Sequence, residues 1–275
     1  MRGATIATSD VFAANRARGA ITLAVGLRDG ATRRLRLHES GSLRARFPNC
    51  EAGALEAVIL NTAGGIAGGD QLAIAVAVDE GASLTITTAA AEKAYRSHGP
   101  DATLSVQLTI GAGGTLRWLP QEMILFDHAC MRRNIEIDLA ETATLVLAEA
   151  VFFGRSAMGE RMATGRFFDR WRLRRSGKLI LAETVRLDGD IAGKLAQRAV
   201  GDGAQAVATV LMVPGDDSAV AAVRALSEDF LGEVGISCWN GVAVVRLCAR
   251  DGTHLRRDLA AVLSIAGPLP RLWLN

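Results

Sequence analysis

Four times along the chain an apolar residue is followed six positions later by a leucine, with a short turn-forming segment between them. Val78 and Leu84 flank DEGAS, Ile110 and Leu116 flank GAGGT, Leu139 and Leu145 flank AETAT, and Leu173 and Leu179 flank RRSGK. Each unit reads as strand, tight turn, strand, and it recurs about every 30 residues. A chain with this spacing folds as β layers. Two arrangements fit: hairpin-like layers wound into an elongated superhelix, or an ordinary sandwich with regular turns. The residues filling each unit vary, so no simple solenoid motif decides between them. Hydrophobic residues make up 49% of the chain but aromatics only 5%, which suits strands packed closely through small side chains.

The last third changes character. In Asp217–Val234 the residues Val220, Val223, Leu226, Phe230 and Leu231 form one stripe at helical spacing, with Asp217 or Ser218 as N-cap. A second helix is predicted over Leu255–Ile265, stopped by Gly267 and Pro268, with a strand at Val242–Leu247 between the two. Both helices are expected to cover an open sheet face. The whole, residues 1–275, is read as one domain.

Between the first strands lies the most glycine-dense segment, NTAGGIAGGDQL at Asn61–Leu72. Gly64, Gly65, Gly68 and Gly69 permit positive φ or close approach by another segment. Asp70 then heads an apolar row of Leu72, Ile74, Val76 and Val78, since side chains alternate along a strand. Farther on comes the compact polar cluster Lys93-Ala94-Tyr95-Arg96-Ser97. It fits either a loop-stabilising role beside Gly99-Pro100-Asp101 or a polar interior lining.

Two more carboxylates sit on apolar faces. Glu149 shares its face with Leu145, Leu147, Val151 and Phe153; Glu183 shares its own with Leu179, Leu181, Val185 and Leu187. A buried ionised carboxylate needs a partner, a proton or water. Asp70, Glu149 and Glu183 therefore fit either of two roles. They are structural groups paired with arginines such as Arg96, Arg132, Arg155 or Arg186, or oxygen ligands along a hydrated path that hold a divalent ion weakly. Glu136 and Asp138 alternate against Ile135, Ile137 and Leu139 and face solvent.

The glycine turn with its aspartate, the T-x-T-T at Thr85–Thr88 and the K-x-Y-R-S at Lys93–Ser97 together resemble the UreD (UreH) family of urease accessory proteins. The block Trp118-Leu119-Pro120-Gln121-Glu122 with Phe126-Asp127, and Gly154-Arg155 with Gly159-Glu160, resemble further segments of that family. The likeness is clear over roughly Glu39 to Gly189 and weak in the C-terminal third. One departure is Asn61-Thr62-Ala63 in place of a proline-bearing entry, which implies a looser turn. The resemblance implies a mainly β fold, an elongated helical (superhelical) β-sheet or sandwich with about two α-helices in the C-terminal third. It also implies a cytoplasmic scaffold without catalytic activity that binds UreF, reaches the GTPase UreG through it, and docks on apo-urease. No tightly bound cofactor is implied, and Ni2+ is expected only in transit. Asp70, Glu149 and Glu183, with Lys93, Tyr95, Arg96 and Ser97, become candidate linings of an internal nickel path.

Other classes find little support. The glycine turn has neither a Walker ending nor dinucleotide spacing, and no nucleophile elbow is present. A net charge of +2 argues for no nucleic acid. No run of about 18 apolar residues suggests a membrane span, and the N-terminus lacks the apolar stretch of a secretory signal. His38, His98, His128 and His254 are isolated. His128 and Cys130 lie two apart, which fits a turn residue beside a buried thiol better than a chelate. Cys50, Cys130, Cys238 and Cys248 are scattered and read as reduced thiols. Glu149 and Glu183 hold equivalent places in their units, so a β-rich hydrolase using paired carboxylates remains a remote alternative. The run Arg170–Arg175 puts Arg170, Arg172 and Arg174 on one strand face, either a solvated edge or a docking surface for an acidic partner.

Overall fold

A computed structural model describes residues 15–48, 55–97 and 99–274. Cys50 and His98 lie outside the described residues, as does the N-terminal segment read above for a signal.

The chain enters through β1 (Arg18–Arg28), β2 (Ala31–Gly41), β3 (Leu43–Arg46) and β4 (Leu55–Asn61). Three rungs follow: β5 (Gln71–Val78), β6 (Ser83–Thr88) and β7 (Glu92–Ala94); β8 (Ala102–Ile110), β9 (Thr115–Trp118) and β10 (Met123–Leu125); then β11 (Cys130–Leu139) and β12 (Thr144–Phe153). A long hairpin, β13 (Thr164–Arg175) and β14 (Lys178–Asp190), comes next. The remainder is α1 (Ile191–Ala196), β15 (Ala206–Val213), α2 (Asp217–Arg224), β16 (Glu233–Trp239), β17 (Val242–Ala249) and α3 (Gly252–Ile265).

The described strands form two sheets. One runs in the order β14-β13-β11-β8-β5-β1-β2; the other runs β16-β17-β15-β12-β9-β6-β4-β3, with β10 and β7 branching from β12. The repeated turns therefore do not close hairpins, as the spacing alone suggested. In the first three units the turn carries the chain from one sheet to the other, so each strand pairs in parallel with its counterpart one unit away. Val78 lies beside Ile110 and Ile110 beside Leu139 in one sheet, while Leu84 lies beside Leu116 and Leu116 beside Leu145 in the other. This is solenoid-like coiling. Only the fourth unit is a true hairpin. Leu173 pairs with Ile137 rather than Leu139, two residues out of step, and β13 turns back antiparallel onto β14.

Two layers of apolar side chains result. Between the sheets lie rows such as Val76, Leu108, Ile137 and Leu173 from one side and Ile86, Leu116 and Leu147 from the other. Outside the ten-stranded sheet, Ala148, Val210 and Val245 pack under Leu255, Leu259 and Val262 of α3 and Val223 of α2. The expectation that the helices cover an open sheet face holds.

Their limits differ from the predicted ones. There are three α-helices among the described residues rather than two. The helix predicted over Asp217–Val234 ends at Arg224, and its N-cap is Asp216, whose carboxylate accepts from the Ala219 N–H. The apolar stripe continues past Arg224, but the backbone N–H groups of Leu231 and Gly232 donate to the carboxylate of Asp258 on α3. That carboxylate is buried; between Arg224 and Leu231 the chain runs through turns, with the Ser227 N–H on the Arg224 carbonyl and the Asp229 N–H on the Leu226 carbonyl. The predicted strand and second helix extend to Val242–Ala249 and Gly252–Ile265.

Candidate functional site

The glycine turn and the K-x-Y-R-S cluster prove to be one local structure. The Ile66 N–H donates to the Lys93 carbonyl at 2.7 Å, and the Tyr95 N–H donates to the Ile66 carbonyl at 2.8 Å. The Tyr95 hydroxyl donates to the Gly64 carbonyl at 2.8 Å, and its ring stands edge-on to Phe126 at 5.1 Å. Ser97 Oγ donates to the Pro100 carbonyl and accepts from the Gly99 N–H. Lys93 is exposed, and Arg96 reaches Asp127 at 4.0 Å.

The glycines are required by this packing. Gly65 has φ of +152°, and a Cβ there would strike the Tyr95 ring and the Lys93 carbonyl. A Cβ on Gly68 would overlap Ser97 Oγ. Gly64 and Gly69 also take positive φ. We expect Gly65→Ala to cost about 1–3 kcal/mol through strain and displacement of Tyr95, read as a lower urea midpoint at unchanged m-value. A loss below about 0.5 kcal/mol would mean the turn relaxes freely.

The proline-free entry is held by side-chain bonds of Asn61. Asn61 Oδ1 accepts from the Ala63 N–H, while its Nδ2 donates to the Gly65 carbonyl and to Glu92 Oε1, both at 3.2 Å. Glu92 was not picked out from the sequence. Burial, partly offset by the Asn61 bond, the Lys93 backbone N–H and the Lys93 charge, pushes its carboxyl up to about 7.

The three carboxylates singled out by the pattern sit in three environments. Asp70 is buried at the start of β5 and accepts from the backbone N–H groups of Ala17 and Ala67, both at 2.8 Å. It thereby ties the chain entering β1 to the glycine turn.

Glu149, on β12, lies between the sheets. It accepts from Trp118 Nε1 at 2.8 Å and is ion-paired with Arg133 of β11. Arg133 is 1% exposed. It also forks onto Asp169 of β13, Nε to Oδ1 at 2.9 Å and Nη2 to Oδ2 at 2.6 Å. Trp171 Nε1 completes the set by donating to Asp169 Oδ1 at 2.8 Å. One guanidinium thus serves two carboxylates in the buried interior. Burial pushes the Glu149 carboxyl above the usual range, and the Arg133 charge and the Trp118 bond only partly offset this.

Arg133 was absent from the arginines considered as partners. Its neighbour Arg132 points outward, stacks on Phe168 at 4.5 Å and pairs with Asp101. The signal was present: Arg133 shares its strand face with Met131, Ile135 and Ile137, all buried. Asp169 sits likewise between the buried Phe167 and Trp171.

Glu183 is different again. Its neighbours Leu181 and Leu187 are buried, but Leu179 is 48% and Val185 37% exposed, because β14 is the sheet's edge. The carboxylate is half-buried and pairs at 2.6 Å with Arg246 of β17, bridging the open side of the two sheets. Glu149 and Glu183 therefore lie on opposite sheets with separate arginines, and their equivalence in the repeat is lost. Among the described residues no group of three or more His, Cys, Asp or Glu side chains is placed to hold a metal ion.

The remaining motif residues hold the chain's C-terminal segment. Trp273 Nε1 donates to the Leu119 carbonyl, Gln121 Nε2 to the Leu272 carbonyl, and Arg256 pairs with Glu122 at 3.0 Å. Arg155 pairs with Glu160 at 2.5 Å and stacks on Phe126. His128 has φ of +64° and lies between Asp127 and Thr164, with Cys130 Sγ against its carbonyl. Cys130, Cys238 and Cys248 are free. No described helix is long and apolar enough to cross a membrane.

Comparison with known proteins extends the likeness through the C-terminal third. The family model described as UreD urease accessory protein matches residues 17–274. A urease accessory protein UreD of Rhodopseudomonas palustris (strain BisA53) is 58% identical over 98% of this chain and 95% of its own length. Another, from Bradyrhizobium diazoefficiens, is 56% identical over the full length of both chains. A protein named urease accessory protein UreD 3, of Bradyrhizobium sp. (strain BTAi1), is 58% identical over 98% of each. These names are those of an accessory protein, not a catalyst, and the hydrolase alternative is set aside. The chain belongs to the UreD family of urease accessory proteins.

Proposed function

We propose that this protein is a cytoplasmic scaffold and nickel conduit that links UreF, and through it the GTPase UreG, to apo-urease. The match to urease accessory proteins over nearly the whole chain carries this reading. Within the fold, Glu183 is the carboxylate best placed to receive an ion. It sits at the open side of the two sheets, and its partner Arg246 is half-exposed and can swing away. Glu149 lies deeper, and Asp70 is committed to backbone donors. A nickel ion held by only one or two carboxylate oxygens is bound weakly, which suits cargo better than a thiolate cage. The C-terminal third is our proposed contact for UreF; a cleft of about 650 Å³ opens there between Phe152, Met158, Ala260 and Trp273. Met158 is 74% exposed there, the kind of apolar surface that a lasting partner covers.

The test is co-expression of urease with its accessory proteins, with this chain present, absent, or carrying Glu183→Leu. Without the chain, urease should remain nickel-poor and inactive. With Glu183→Leu, nickel per urease should fall several-fold while co-purification of UreF and urease persists. Loss of co-purification would make Glu183 a structural residue.

One observation favours a second reading, that of a docking scaffold through which no ion passes. Each of the three carboxylates already has a protein partner. That reading expects normal nickel loading in the Glu183 variant.

A further inference from the structure

The outer faces of the two sheets are treated differently. The ten-stranded sheet is covered by α2, α3 and Trp273, whereas the outward row of the seven-stranded sheet, from Ala73 through Gln107 to Arg172, is exposed or half-buried. The middle of that face is level and small: Ala73, Ala75 and Ala77 on β5 lie beside Ser105, Gln107 and Thr109 on β8.

Toward β14 the face becomes a lane of guanidiniums. Arg170 and Arg174 both hold Glu136, at 3.0 and 2.8 Å, and Arg172 stands beside it across the strand pair. Arg132 and Arg166 both hold Asp101, at 3.5 and 2.8 Å. Each carboxylate is thus shared by two arginines, and each trio keeps one positive charge over. Arg186 is 74% exposed along its side chain and makes only a 3.7 Å contact with Asp188. Between Arg132, Arg166 and Arg186 a cleft of about 220 Å³ opens, lined also by Phe168 and by Asp101 and Asp188, so three guanidiniums face two carboxylates there. It is wide enough for one carboxylate side chain. β11 and β13 are each paired on both sides, so the arginines they carry do not guard a bare edge; Arg186 alone stands on the edge strand β14.

We infer that this lane is the surface on which the chain receives its client, an acidic face of apo-urease, with one client carboxylate entering the cleft by Arg186. The inference rests on the scaffold reading and adds the surface to it. A client must leave after maturation. Flat, charged contacts associate quickly and release readily, whereas apolar clefts such as that at Met158 suit partners that stay. The interleaved Glu136, Asp138 and Asp101 match the mixed charges of a protein surface better than a phosphate backbone.

The test is binding of the full chain to apo-urease by interferometry at 50 and 300 mM NaCl. Wild type should lose affinity by at least about fivefold with salt. Arg170→Glu/Arg174→Glu should weaken binding at least about tenfold at low salt and flatten the salt dependence, with an unchanged circular dichroism spectrum. The control Arg28→Glu/Arg33→Glu carries the same charge change at the far end of the sheet and should bind within about twofold of wild type. Arg186→Glu, at an exposed edge position, repeats the test without touching Glu136. Wild-type binding that ignores salt, or equal loss in lane and control variants, overturns the surface while leaving the scaffold reading intact. Competition by a 20-base-pair duplex at the lane would overturn the protein partner. Failure of wild type to bind apo-urease at all would remove the scaffold reading itself.

Discussion

Arg133→Met should lower the stability of the protein by about 3–5 kcal/mol, the largest loss expected of any single substitution here. Among the described residues the arginine is the only cation in hydrogen-bond contact with Glu149 and Asp169, and all three side chains are buried. Its removal leaves two carboxylates with only the indoles of Trp118 and Trp171 as side-chain donors. Typical domains have about 5–15 kcal/mol in hand, so the variant should be marginal or insoluble at 37 °C. Urea titration of the purified chain gives the number. The triple variant Arg133→Met/Glu149→Leu/Asp169→Leu should recover most of it, since a dry ion network can be replaced by apolar groups of similar size without loss. A stable triple variant that no longer supports nickel loading would show that the network is kept for function. A single variant that loses less than about 1 kcal/mol would mean water reaches the site.

Glu92→Gln should stabilise the protein in alkaline but not acidic solution. The carboxyl is raised from 4.5 to about 7 in the folded chain, with burial as the main cause. Its favourable contribution is complete below pH 4.5 and is lost as pH rises through 7, where the folded protein must ionise a largely buried group. Glutamine removes that cost. The variant should match wild type near pH 4.5 and exceed it by about 3 kcal/mol at pH 8, taking 1.36 kcal/mol per unit. Thermal or urea unfolding across this range tests it. A difference that does not vary with pH would show that Glu92 gains water or a cation on ionising.

How far the sequence was readable depends on the range of the interaction that decided each element. The recurring turns were visible because each is a local pattern of polar or glycine residues between apolar ones. Whether such a turn closes a hairpin or crosses between sheets depends on pairing with residues about 30 positions away, and spacing cannot tell the two apart. The inward carboxylates were legible from alternation alone. Their partners were not chosen correctly: Arg96, Arg132, Arg155 and Arg186 were considered, while the same alternation applied to β11 points to Arg133. Glu92 escaped notice because its burial comes from the Asn61 turn rather than from its own short strand. The helix after Asp216 was overextended because the stripe past Arg224 runs on through turns, and its last residues are held by Asp258, which lies far along the chain on α3.

The stacked parallel rungs bear on how the chain is made. In the seven-stranded sheet both ends are closed by antiparallel returns, β2 against β1 and β14 against β13. During synthesis each new rung can dock on the one before it as it leaves the ribosome, growing in one direction from β5 to β8 to β11. Until β13 and β14 emerge, the growing end is a bare parallel edge, open to a second nascent chain. The fourth unit, out of step and folded back on itself, is the stop that ends the stack and makes it safe to release.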